Sequence, residues 1–185
     1  MGVNFTALFE HCIKVEELRD LPMYLNNQKK FKYFYSVAST YDDTKIDDWK
    51  WPEDIIRNRT VEEEFLEEGF VSMGGPGGFT FYLGKHLCEL RSYVRWGNFL
   101  EEETIQNHFR KICFEFSYIF GNPLYAPDLF CLDSYLFDGE TIVEVREYLA
   151  RKYGGPSKTI KDMYTNYKLN QEYNNYFIED FKDII

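Results

Sequence analysis

Gly78–Trp96, GFTFYLGKHLCELRSYVRW, is the stretch on which the fold turns. Apolar and polar residues alternate on both sides of Gly84–Lys85, the pattern of two half-buried strands joined by a tight turn. A two-residue turn there predicts that Leu83 pairs with His86, Phe81 with Cys88 and Phe79 with Leu90. That register gathers Phe79, Phe81, Leu83, Cys88, Leu90, Val94 and Trp96 on one face. Thr80, Tyr82, Glu89, Arg91, Tyr93 and Arg95 then share the other. A slip of one residue would invert both faces, so turn and pattern support each other.

The flanking segments supply cover for this hairpin. Downstream, Glu102–Phe120 reads as a helix whose stripe is Ile105, Phe109, Ile112, Cys113, Phe116, Ile119 and Phe120. Glu101–Glu103 sit at its positive end, and Gly121 and Pro123 stop it. A short extended piece follows at Leu124–Ala126, then a possible strand over Leu129–Phe137. Asp138 is expected to cap a helix running to Tyr153, and Ser157 to start another carrying Ile160, Met163, Tyr164 and Tyr167. The tail is aromatic enough to dock. Upstream, Val15–Asn26 has leucines at helical spacing, and Phe31–Ser39 (FKYFYSVAS) reads as a strand. Thr60 and Glu63 form a capping box, with Gly69 closing that helix. Together these elements predict an α+β fold, an antiparallel sheet with a central hairpin covered by amphipathic helices.

The 185 residues suit one domain spanning 1–185. Aromatic residues reach 19% of the chain. No apolar run is long enough for a membrane span, and Met1–Ala7 does not resemble a signal peptide. The net charge of −10 argues against nucleic acid as a partner. Cys12, Cys88, Cys113 and Cys131 are scattered without a CxxC pair, which points to buried structural thiols and a cytoplasmic location.

No catalytic or metal-binding signature emerges, and no cofactor is expected. His11, His86 and His108 lack HxH or HExxH spacing, although a Cys–His pair could still assemble in space. Met73–Gly78 (MGGPGG) has no Lys and leads into a strand rather than a helix. It therefore reads as a flexible lead-in to the hairpin, not a phosphate loop.

Charge is distributed unevenly. Residues 41–70 hold 11 acids against 4 bases, a net of −7, while the remainder of the chain nets only −3. Trp49 and Trp51 stand inside this acidic stretch. Asp42, Asp43, Asp47, Asp48, Trp49, Trp51, Glu62 and Glu63 thus form the first candidate surface, an acidic face with aromatic anchors for a basic protein partner. A solvated acidic face explains the same residues without a partner. The second candidate is the polar hairpin face, Tyr82, Arg91, Tyr93 and Arg95, which could hold a carboxylate by Arg contact.

From Arg91 to Tyr164 the punctuation RSYVRWGNFL, FGNPLYAPD, DGE and YGGPS resembles small bacterial immunity proteins found beside secreted polymorphic toxins. The resemblance implies a non-enzymatic immunity protein, and the acidic segment adds the expectation that it occludes a basic toxin domain. The competing expectation is a small hydrolase or transferase using dispersed carboxylates or a Cys–His pair.

Overall fold

The computed structural model describes residues 3–38, 40, 48–53, 55, 59–170 and 172–182. Its centre is an antiparallel sheet of six strands: β1 (Asn4–Glu10), β2 (Val71–Gly74), β3 (Thr80–Leu83), β4 (Leu87–Arg95), β5 (Leu124–Pro127) and β6 (Phe177–Ile178). They are ordered β2-β3-β4-β1-β5-β6. The α+β expectation holds.

The hairpin forms, with its register moved by two residues. Leu83 pairs with Cys88 and Phe81 with Leu90, and the Gly84 N–H donates to the Leu87 carbonyl at 2.9 Å, so the turn is centred on Lys85–His86 rather than on Gly84–Lys85. A shift of two preserves side-chain parity, and both predicted faces survive. Gly84 is pinned where it lies, because a Cβ there would stand 2.4 Å from the Leu136 carbonyl oxygen.

Strand β1 was not among the predicted elements, yet it pairs with both β4 and β5. Phe5, Ala7 and Phe9 enter one core and Leu8 the other. A strand buried on both faces shows no polar alternation, so its sequence carries little signal.

Helices cover both faces. On the first lie α1 (Leu21–Asn26), α2 (Lys32–Ala38), α3 (Val61–Glu68), α4 (Trp96–Glu101), α5 (Glu103–Phe116) and α8 (Ile160–Asn170). The second is covered by α6 (Asp133–Phe137) and α7 (Ile142–Tyr153), through Leu136, Ile142, Val145 and Leu149. Helix α5 buries Phe109, Ile112 and Phe116 as its stripe predicts, in the same cluster as Phe81, Cys88 and Leu90.

Three local expectations are corrected. Phe31–Ser39 is not a strand: Lys32–Ala38 is helix α2. Phe34 and Ala38 are its buried residues, with buried Phe31 just before it, a helical spacing hidden by β-prone side chains. The Glu115 carboxylate accepts the Tyr33 and Phe34 N–H groups at 2.8 and 2.7 Å, fixing the start of α2 from a distant helix. Leu129–Phe137 is a 3-10 turn and α6, separated by Cys131 in a left-handed conformation. The α7 cap is Thr141 rather than Asp138, with Glu144 completing its capping box.

Met73–Gly78 is packed rather than loose. Pro76 is buried, and a Cβ on Gly75 would lie 2.3 Å from the Trp49 ring. The glycines let the backbone approach that indole, a packing role unrelated to phosphate.

Candidate functional site

The acidic segment divides into parts with different fates. Asp42, Asp43 and Asp47 lie outside the described residues. Asp48 is exposed, whereas Trp49 is 1% and Trp51 7% exposed. Segment 48–53 runs beside β2, with the Lys50 N–H donating to the Gly74 carbonyl at 3.0 Å. Extended backbone sends alternate residues to opposite sides, so both tryptophans turn inward together. Trp49 stacks on Phe34 at 5.7 Å and meets Phe81 and Phe116 edge-on. The Asn26 amide grips its backbone from both directions, at 2.8 and 2.9 Å. The Trp51 indole N–H donates to the Leu18 carbonyl. Neither ring is presented to a partner, which corrects their reading as anchors.

Helix α3 carries the remaining acids outward. Thr60 and Glu63 cap it reciprocally, as their spacing predicts. Glu62 meets Arg19 at 3.4 Å, and Arg59 pairs with Glu64 and Glu67. Exposed Glu68 has no ion-pair partner among the described residues, and Leu66 stands beside these acids at 73% exposure. The 3-10 turn Val15–Glu17 lies against α3 and extends the negative surface through Glu16, Glu17 and Asp20. Sequence reasoning passed over these three carboxylates; their signal was three acids in five residues just before LPMY.

The second candidate face does not assemble as one site. The Arg91 guanidinium lies between Glu89, at 2.9 Å, and Asp133, at 3.0 Å, with Tyr82 beneath it. Burial raises the Glu89 pKa, and the Arg91 hydrogen bond and charge oppose that rise. With two carboxylates already on it, Arg91 is not an open anion receptor. Tyr93 is 81% exposed, and Arg95 donates to the Asn4 side-chain oxygen at 2.9 Å.

His11, His108, Cys88 and Cys113 have structural surroundings, whereas Cys12 and Cys131 are exposed, against the expectation of four buried thiols. Nε2 of His11 lies 2.8 Å from the Gly84 carbonyl, and Nδ1 accepts the Ile13 N–H at 3.1 Å. This network assigns a neutral ring protonated on Nε2. Neither ring nitrogen is turned to Cys12. Burial pushes the Cys88 and Cys113 thiols up, the direction of inert core cysteines. His108 stacks on Tyr33 and touches its hydroxyl. Among the described residues, no three His, Cys, Asp or Glu side chains gather to hold a metal, and no helix is long and apolar enough to cross a membrane.

His11 makes a pH-dependent contribution to stability. Burial lowers its folded pKa below the ordinary value of 6.5, so folding favours the neutral ring. The contribution is therefore full above that value and is lost as pH falls through it toward the depressed folded pKa. Melting temperatures at about pH 7.5 and about pH 5.5 should fall more for the wild type than for His11→Gln, whose amide cannot take up the proton. Equal losses in the two proteins would contradict this role.

Comparison with protein families, with curated proteins and with solved structures finds no match in any of the three.

Proposed function

We propose that the protein is a non-catalytic binding module of the immunity type, which neutralises a basic toxin domain by steric occlusion. The observation carrying this reading is α3, whose eight residues hold five glutamates, exposed Leu66 and no base. Arg19 and Arg59 offset Glu62, Glu64 and Glu67, while Glu63 and Glu68 are exposed with no ion pair among the described residues. Exposed Asp48 lies two residues before Lys50, which bonds to β2, and exposed Glu16 and Asp20 lie beside Arg19, which meets Glu62 of α3. One-sign charge accelerates encounter with a basic partner, and an apolar residue inside it supplies contact after water is expelled. The buried tryptophans support the scaffold beneath this surface rather than the contact itself.

The test is co-expression with the product of the adjacent reading frame in the source genome, followed by purification of the pair. The expected results are relief of that product's toxicity and a stable complex. A co-expressed neighbour that stays toxic and unbound would overturn the immunity assignment.

A further inference from the structure

Two grooves of opposite charge border one another just past the end of α5. Glu16, Glu17 and Asp20 line a depression of about 480 Å³ that reaches Ile119. Lys29, Lys30, Lys32 and Lys111 line another of about 610 Å³ that reaches Phe114 and Tyr118. Tyr118 lines the second and the next residue, Ile119, the first, which brings the two depressions side by side.

The lysines stand out in a chain of net charge −10. Among the described residues none of the four forms an ion pair with a carboxylate. The carboxylate lining their groove, Glu115, is occupied with the α2 backbone. Lys30 sits 4.8 Å from the Tyr118 ring centre and Lys111 5.2 Å from that of Tyr33, which places both cations over aromatic faces. Across the shared edge, Glu16 and Asp20 are exposed, with no ion-pair partner among the described residues. Met23, Tyr24 and Tyr118 are at least half exposed around the boundary.

An acidic half, a basic half and an apolar seam on one surface form a self-complementary patch. In a two-fold interface the same patch serves both subunits, and each residue meets its opposite number reciprocally. We propose that this face joins two copies of the chain in a symmetric dimer, the lysine groove of each receiving Glu16 and Asp20 of the other. A long polyanion fits less well, because from the lysines it would run onto the adjoining carboxylates. This inference does not rest on the immunity reading; it shares Glu16 and Asp20 with that acidic surface, while its lysine half lies outside it.

Sedimentation velocity on the full chain decides it. The wild type should dimerise at about 0.02 M salt and weaken by about tenfold or more at about 0.5 M, where screening is severe. Lys30→Glu/Lys111→Glu should be monomeric at low salt, and so should Glu16→Lys/Asp20→Lys. An equimolar mixture of the two should dimerise again, since each altered groove then faces an oppositely altered one. Circular dichroism verifies that both variants fold; if the lysine pair does not, Lys29→Glu/Lys32→Glu replaces it. A wild type that stays monomeric at about 200 μM and about 0.02 M salt overturns the proposal. So does a dimer unaffected by either swap, or a mixture that stays monomeric. Tighter binding of an oligonucleotide than of a second copy, measured in the same low-salt buffer, also overturns it.

Discussion

Trp49→Ala is expected to lower folding stability by about 3–5 kcal/mol, the usual cost of truncating a large core aromatic. The indole lies among Phe34, Phe81 and Phe116, and beneath it the Gly75 backbone approaches too closely to admit a Cβ. Removing the ring leaves a void that these rigid neighbours cannot close, so the lost transfer energy and the cavity term add. A loss of that size is a large share of the total stability of an ordinary domain. Urea unfolding monitored by circular dichroism measures it. An unchanged midpoint would return Trp49 to the surface and restore its reading as a partner anchor.

Arg110→Ala should destabilise by a similar amount, about 3–5 kcal/mol, for an electrostatic reason. Arg110 donates from Nε and Nη2 to the two oxygens of Glu179 at 2.6 and 2.9 Å, and the Glu179 side chain is 0% exposed. Glu179 also accepts the Asp180 and Phe181 N–H groups, so it ties the final segment to α5. Truncating the arginine strands a buried carboxylate. The paired change Arg110→Met/Glu179→Gln removes both charges and should recover much of the loss. Equal destabilisation in the single and double variants would show that shape, not charge, holds the segment.

The legible parts of this fold were those with a clean period. The α5 stripe and the alternating hairpin revealed their buried faces because one side of each is apolar and the other polar. The caps at Thr60 and Gly69 were legible because their chemistry is local. β1 was silent for the opposite reason: with cores on both faces, Phe5 to Phe9 has no polar side to set a phase. α2 misled because FKYFYSVA favours strands by composition, while its burial follows a helical spacing enforced by Glu115, which is far away in sequence. At the candidate site, charge density drew attention to Trp49 and Trp51 as exposed anchors. The alternation Asp48-Trp49-Lys50-Trp51 already contained the contrary reading, since it places both rings on one side of an extended segment. The importance of Glu16 and Asp20 depended on a tertiary contact, Arg19 with Glu62, that no local pattern encodes.

The proposed function rests on electrostatic steering of a basic partner by the acids around α3. Its most direct test is the association rate of the identified partner with wild type and with Asp48→Lys/Glu67→Lys/Glu68→Lys, at about 0.01 M and about 0.15 M salt, where the Debye length falls from about 30 to about 8 Å. These substitutions leave the Thr60–Glu63 cap and the Arg19–Glu62 pair intact. With steering, association of the variant is slowed by about tenfold or more at low salt and less at high salt, with a nearly unchanged dissociation rate. Equal association rates at low salt would contradict it.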